Sequence, residues 1–235
     1  MKTLIIIPTL NEKDNIKKIF SKIKNLNSFL NILFVDDNSN DGTQEEILNL
    51  AQKKFVNYIF RKKRGIGSAH RDGIKWAIKK NFDFCVTIDA DGAHNPSLIL
   101  KMLKIIKKNP NNIHIVNTNR FLKKNSLYGW SFLRIAITTI RFFLVKIFLN
   151  TTLDSSGGLR LYNLKRIKKK YFNLPKNNEY FYLIESLYYY EKLGLKIIEI
   201  PIKLKIRDYG SSKMNFYHVI NSLYLLLILS FKKII

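Results

Sequence analysis

The first half of the chain alternates short apolar runs with amphipathic stretches. Residues 4–7, 32–35, 56–60, 84–88 and 113–116 are apolar and of strand length. Between them, Ile16, Ile19, Phe20, Ile23 and Leu26 recur at helical spacing, as do Ile47, Leu48 and Ala51. Asp41-Gly42-Thr43 reads as a turn and helix start, a glycine-rich turn precedes a helix at 68–80, and Pro96 suits the first position of a helix over 97–108. Strand and helix in regular succession predict an α/β layer with a mostly parallel central sheet flanked by helices.

The second half has another pattern. Residues 130–149 are nearly all apolar, with Ser131, Arg134, Thr138 and Arg141 spaced to form one polar stripe. Residues 216–231 repeat the theme, with Asn221 and Ser222 inside the run and Lys232-Lys233 after it. A spanning helix needs about 20 apolar residues, and Arg134, Arg141 and Lys146 interrupt the first run. Both runs read as amphipathic helices lying in a membrane interface. A buried core helix for the first, and a marginal span for the second, are the alternatives. Tyr180, Tyr182, Tyr188, Tyr189 and Tyr190 surround Glu185 on a further predicted helix, as packing or interface residues. The organisation expected is one domain over 1–214, followed by an apolar amphipathic helix over 215–235.

Charge narrows the partners. The 235 residues include 41 Lys and Arg against 17 Asp and Glu, a formal charge of +24. An anionic partner follows: nucleic acid, an acidic membrane surface or phosphorylated substrates. Neither an aromatic-basic RNA motif nor a DNA-reading module is present, which sets nucleic acid aside. The single Cys85 excludes an internal disulfide framework and, inside an apolar strand, reads as an inert core residue. The first residues begin like a signal peptide, but Pro8, Asn11 and Glu12 follow at once, and a first strand is the better reading.

The candidate chemistry lies at strand ends, where ligands gather in parallel α/β sheets. Asn11-Glu12, Asp36-Asp37, Asp89-Ala90-Asp91 and Arg120 each follow a predicted strand. Asp89 and Asp91 leave a buried strand together, and oxygen ligands of this kind suit Mg²⁺ or Mn²⁺ held jointly with substrate phosphates. Such pairs also occur in surface loops; the four polar strand ends in one pattern are what favour a site. No Gly-x-Gly-x-x-Gly fingerprint follows the first strand, and no P-loop is present. Gly65-Ile66-Gly67-Ser68-Ala69 either lets backbone approach a ligand or caps the helix that follows.

Taken in order, the segments IIIPTLNEKDNI, LFVDDNSNDGT, RGIGSAHRDGIKWA, TIDADGAHNP, NR at 119–120, YGWSFLRIAIT, DSSGGLRLY and IRDYGSSKM resemble the family-2 inverting glycosyltransferases. More closely, the chain resembles the polyprenol-phosphate (dolichol-phosphate) mannose synthases. The resemblance implies a GT-A type nucleotide-sugar-binding fold. It places Pro8, Leu10, Glu12, Val35, Asp37, Asp89, Ala90 and Asp91 at the nucleotide sugar, with Arg207 and Lys213 as a late cationic pair over the phosphates. Asp89 and Asp91 would hold Mg²⁺ or Mn²⁺. Arg120 and Arg134, with Thr138 beside them, would hold the acceptor phosphate, and Asp91, Arg120 and Arg134 would carry catalysis. Leu10 stands where an aromatic residue is usual, Ala93 replaces a polar residue, and the middle of Asp154-Ser155-Ser156-Gly157-Gly158-Leu159-Arg160 is altered.

The implied reaction is transfer of mannose from GDP-mannose to a polyprenyl phosphate. The alternative is a UDP-sugar donor, such as UDP-glucose to undecaprenyl phosphate, or a glycan acceptor. A hydroxyl acceptor would need a base, for which Asp154 is the candidate. His70 and His94 are read as structural histidines. The expected setting is the cytoplasmic face of a membrane, peripheral or monotopic, with a membrane-anchoring partner subunit as a possible companion.

Overall fold

A computed structural model describes residues 2–26, 29–205 and 216–232. Five strands stand close to the predicted positions: β1 (Thr3–Thr9), β2 (Asn31–Asp36), β3 (Val56–Phe60), β4 (Phe84–Thr87) and β5 (Ile115–Asn119). Two more, β6 (Arg160–Asn163) and β7 (Ile197–Pro201), complete a seven-stranded sheet in the order β3-β2-β1-β4-β6-β5-β7. Every pairing is parallel except those of β6, which runs against β4 and β5. The helices between strands are α1 (Lys13–Lys24), α2 (Thr43–Ala51), α3 (Ile66–Lys79) and α4 (Leu98–Lys108). Pro96 sits two residues ahead of α4 and not at its first turn, because residues 96 and 97 form a turn.

Side-chain alternation along the strands builds two cores. Ile5 and Ile7 face α1, α2 and α4, where Ile16, Ile47 and Met102 pack. Leu4 and Ile6 face α3, joined there by Ala69, Ile74 and Tyr190. Cys85 belongs to this second core; burial pushes its thiol well above the usual range and leaves it protonated.

The chain runs outward from β1 through β2 to β3, then returns to place β4 on β1's other side. That reversal opens a crevice at the carboxyl ends of β1 and β4. The antiparallel β6 brings its preceding loop, residues 154–158, to the same edge.

Three further helices lie beyond this layer: α5 (Phe132–Leu149), α6 (Tyr182–Lys192) and α7 (Phe216–Phe231). They share a small apolar cluster that includes Val145, Leu149, Ile184, Tyr188, Leu226 and Leu229. Ser131 caps α5, its hydroxyl accepting from the Arg134 N–H. The outer faces of α5 and α7 leave large apolar side chains in solvent, among them Phe132, Ile147, Tyr224 and Phe231. Among the described residues, no helix is long and apolar enough to cross a membrane.

The glycine-rich turn serves close approach of chain to chain. Gly65 has φ +132°, which an L side chain rarely adopts. A Cβ on Gly67 would strike the Tyr182 Cβ and lie 2.8 and 2.9 Å from the carbonyl oxygens of Glu179 and Asn177. Gly67→Ala should therefore force backbone apart and destabilise the protein by about 1–3 kcal/mol. Thermal denaturation checks this, the expected fall being about 2–12 °C for a chain of this size.

Candidate active site

Two cavities meet at the Asp89–Asp91 turn. The first, about 330 Å³, is lined by Pro8, Leu10 and Glu12 after β1, Asp37 after β2, Arg64 and Gly65 before α3, and Asp89, Ala90 and Asp91 after β4. Glu179 and Tyr180, just before α6, and His218 of α7 close it. The second, about 790 Å³, is lined by Arg120, by Arg134, Thr138 and Arg141 of α5, and by apolar residues of α5 and α7. Ile66, Asp89, Asp91 and Tyr180 line both.

Most of the residues proposed from sequence fall on these walls. Val35 does not: it is fully buried in the core beneath the first cavity and lines neither. Arg207 and Lys213 lie outside the described residues. Arg64, Glu179 and His218 were not singled out from sequence. Arg64 opens the RGIGSAHRDGIKWA segment, whereas Glu179 and His218 reach the cavity through packing between distant segments, for which no local motif exists.

Asp37 is the buried centre of the first cavity's wall. Its carboxylate accepts from Arg61 Nη1 at 2.8 Å and from the Gly65 N–H at 2.8 Å. Arg61 also donates to Ser68 and pairs with Asp72 at 3.3 Å. Burial pushes the Asp37 carboxyl up to about 6, and Arg61 and the Gly65 N–H offset only part of that cost. The adjacent Asp36 turns inward and holds Thr9, Ser39 and Gln44, so of the two acids only Asp37 lines the cavity.

At the junction, Asp89, Asp91 and His94 each offer a ligand atom within 4.8 Å of the others. His94 was expected to be a hydrogen-bonded structural histidine. Instead its buried Nδ1 has no hydrogen-bond partner and stands 3.5 Å from Asp89 Oδ2. Two carboxylates and an imidazole form a donor set that fits Mn²⁺ well and Mg²⁺ through its oxygens. A Cβ at Gly158 would lie 2.8 Å from Asp89 Oδ1, so the loop before β6 must be bare there. His70, expected to be hydrogen-bonded as well, also has no hydrogen-bond partner at either ring nitrogen and lines neither cavity; burial first, and Arg160 second, push it down to about 3, leaving it neutral.

Arg120 is fixed from below. Its Nε donates to Asp154 Oδ2 at 2.7 Å and its backbone N–H to the same oxygen at 3.0 Å. Both side chains are almost fully buried. Burial alone would raise the Asp154 carboxyl, but Arg120's charge and hydrogen bonds outweigh it and hold the carboxyl below the ordinary range. Glu199 on β7 accepts from the Asp154 N–H and from the Asn117 and Asn119 side chains, tying loop 154–158 to β5. Arg134 lies over the Trp130 ring at 3.6 Å, a cation–π contact that orients it at the start of α5.

Residues 4–172 match the family described as glycosyl transferase family 2. The chain is 27% identical over 221 residues to the polyprenol monophosphomannose synthase of Mycolicibacterium smegmatis, covering 91% of this chain and 81% of that protein. It is 27% identical over 218 residues to the undecaprenyl-phosphate mannosyltransferase of Micrococcus luteus, covering 92% and 88%. The dolichol-phosphate mannosyltransferase of Pyrococcus furiosus is 32% identical over 217 residues, covering 91% of this chain but 59% of that enzyme. Among solved structures, glucosyl-3-phosphoglycerate synthase from Mycobacterium tuberculosis in complex with Mn²⁺, UDP and phosphoglyceric acid has a TM-score of 0.68 at 16% identity, over 97% of this chain and 76% of that one. At that identity the likeness concerns the fold.

The Asp37 environment has a measurable consequence. Its folded value, about 6, lies above the free value of 3.8, so its contribution to stability is full below about pH 4 and is lost as pH rises through 6. The Asp37 carboxyl carbon should titrate in NMR with a midpoint near 6. A midpoint below 4 would show that the Arg61 pair outweighs burial.

Proposed function

The chain belongs to glycosyl transferase family 2, and from that premise we propose that it transfers mannose from GDP-mannose to a polyprenyl phosphate. The observation that carries the acceptor class is the state of Asp154. A sugar hydroxyl must lose its proton to a base as it attacks. Asp154, the carboxylate next to the acceptor-side cavity, is buried, ion-paired to Arg120 and hydrogen-bonded to Ser156. The acids lining that cavity, among the described residues, are Asp89 and Asp91 of the metal-donor cluster. A nucleophile that arrives already ionised fits such a cavity, and a phosphate monoester does. The likeness to mannosyl-transferring relatives supports the same reading.

In this mechanism the first cavity holds the nucleotide, with Pro8, Leu10 and Glu12 on one side and Asp37 at its floor. Asp89, Asp91 and His94 would hold Mg²⁺ or Mn²⁺, whose charge would offset that of the donor's diphosphate. Arg120 and Arg134 hold the acceptor phosphate, and Thr138 offers a hydroxyl beside them. A phosphate oxygen attacks the anomeric carbon, the bond to the diphosphate oxygen breaks, and its electron pair leaves with GDP, inverting the carbon. Arg207 and Lys213 are assigned to the departing phosphates by motif alone.

We place the reaction at the cytoplasmic face of a membrane. The lipid acceptor cannot leave the bilayer, and the apolar outer faces of α5 and α7 supply a surface to meet it. Residues 1–214 form the catalytic unit on this reading and residues 215–235 its second docking helix, with an anchoring subunit as an optional companion.

A radiolabel transfer assay with citronellyl phosphate tests the function. GDP-mannose with Mn²⁺ or Mg²⁺ should yield an organic-phase product, and Asp91→Ala should lower the rate by about a thousandfold or more, given that each 1.36 kcal/mol is tenfold. No product from any donor would refute the proposal; product from UDP-glucose alone would reassign the donor. Docking has its own test in flotation with anionic phospholipid vesicles. Ile147→Asp with Ile228→Asp should reduce partitioning by at least about tenfold, since each removes roughly 1.5–3 kcal/mol of apolar burial.

A further inference from the structure

The first cavity has a wall to which the proposed mechanism gives no task. Glu179 lines this cavity and not the acceptor-side one. Its backbone is fixed: the N–H donates to Asn177 Oδ1 at 2.8 Å, and the carbonyl accepts from the Tyr182 N–H at 3.1 Å. Its half-buried side chain lies against Gly65, where a Cβ would come within 3.1 Å of Oε1. The Gly65 N–H in turn donates to Asp37, so Glu179, Gly65 and Asp37 form one continuous wall. Burial is the main cause of the raised Asp37 carboxyl, and Glu179's charge adds to it, which puts the two acids in one electrostatic neighbourhood.

Strand order places this wall. Asp37 follows β2 and the Asp89–Asp91 pair follows β4, with β1 between them. Two strand spacings of roughly 4.8 Å put about 10 Å between the two. With the diphosphate at the metal-donor cluster, a nucleoside extending along the cavity brings its base to the wall of Asp37, Gly65 and Glu179. The acids there differ in what they already hold. Glu12 accepts from Asn15 at 2.7 Å, and Asp37 from Arg61 and Gly65. Glu179 Oε2 stands 3.8 Å from His218 Nε2, beyond hydrogen-bond length, and among the described residues neither carboxylate oxygen accepts a hydrogen bond. A carboxylate is acceptor-only, and its two oxygens fit a pair of parallel N–H donors.

We infer that Glu179 selects the nucleobase of the donor, its two carboxylate oxygens accepting from the adjacent N1–H and 2-amino N–H of guanine. The inference rests on the GDP-mannose reading above and goes further, because it names the side chain that distinguishes guanine. Among the common bases only guanine presents two neighbouring donors on that edge. Uracil presents one N–H between two carbonyl oxygens, and adenine an amino group beside a ring-nitrogen acceptor, so each sets an acceptor against the carboxylate. Arg64, which precedes Gly65 and lines the same cavity, suits the O6 and N7 acceptors on the adjoining edge of guanine.

Calorimetric binding of GDP, IDP and UDP to the full chain with Mn²⁺ tests this, since IDP lacks only the 2-amino group. Wild type should bind GDP about tenfold more tightly than IDP or UDP, the worth of one hydrogen bond to a charged group. Glu179→Ala should bind GDP about thirtyfold more weakly and IDP about threefold more weakly, so that the preference between them falls within about twofold, while UDP changes by less than about threefold. The isosteric Glu179→Gln, with one acceptor oxygen left, should fall between and supplies the same cycle without loss of packing. In transfer assays Glu179→Ala should raise the GDP-mannose KM by about thirtyfold with kcat within about twofold. An unchanged thermal transition and an unchanged acceptor KM establish that the variants are folded. A GDP-over-IDP preference that survives in Glu179→Ala, equal losses for all three nucleotides, or no such preference in the wild type would each overturn the inference. The two claims also part cleanly. Mannosyl transfer from GDP-mannose with equal binding of GDP and IDP would refute the role of Glu179 alone; a Glu179-dependent guanine preference without transfer from GDP-mannose would refute the proposed reaction alone.

Discussion

The buried Arg120–Asp154 pair is the constraint around which the acceptor side is built. Moving two charges out of water costs several kcal/mol for each, and the loss is offset only when geometry is good and the remaining lone pairs are satisfied. Here Nε and the backbone N–H of Arg120 meet one carboxylate oxygen, and Ser156 meets the other. Glu199 secures the loop through the Asp154 N–H. The arrangement exists because β6 runs antiparallel, so that the loop preceding it reaches the carboxyl ends of its parallel neighbours. The carboxylate best placed to act as a base is thereby committed to holding a guanidinium. The pair uses Nε, and no hydrogen bond occupies Arg120 Nη1 or Nη2 among the described residues, where the side chain lines the larger cavity.

The donor side repeats this logic with another buried acid. Asp37 joins Arg61 to the Gly65 N–H and so fixes the turn that starts α3. That turn presents Ile66 to both cavities. Gly67, one residue on, is bare enough for residues 177–179 to pack against it, and Tyr180 follows directly into both cavities. A side chain that borders donor and acceptor is thus held through glycine contacts and an ion pair more than a hundred residues away in sequence.

What could be read from the sequence, and what could not, follows from the range of the forces involved. The first five apolar strands and their amphipathic helices carry local periodicity, and strand-end acids such as Asp37, Asp89 and Asp91 stand out against it. β6 is polar at both ends and opens on the wholly buried Arg160, whose guanidinium donates to the Ser155 and Leu183 carbonyls and to Ser186. No hydropathy pattern announces such a strand. Glu199, Arg61, Glu179 and His218 likewise owe their positions to tertiary neighbours. His94 was visible beside Asp91, but its part in the donor cluster depends on Asp89 Oδ2 lying beside its Nδ1. Val35 has the converse history: its motif placed it at the ligand, whereas strand alternation turned it into the core beneath.

The sidedness of α5 is the remaining piece. Amphipathic helices on a globular protein usually turn their apolar stripe inward. In α5 the polar stripe lines the larger cavity, while Phe132, Phe143 and Ile147 point to solvent. In water alone this inversion is unfavourable on both faces, since it confines charge and exposes hydrocarbon. A lipid carrying a terminal phosphate corrects both at once. Its charged group meets the guanidiniums of the polar stripe, and the bilayer around its tail covers the outward apolar face. α7 fits the same scheme: Leu223 and Leu226 wall the acceptor side, His218 lines the donor side, and Tyr224 and Phe231 point outward. On this view, docking to the membrane and closing the walls of the site are one packing problem, solved by the same two helices.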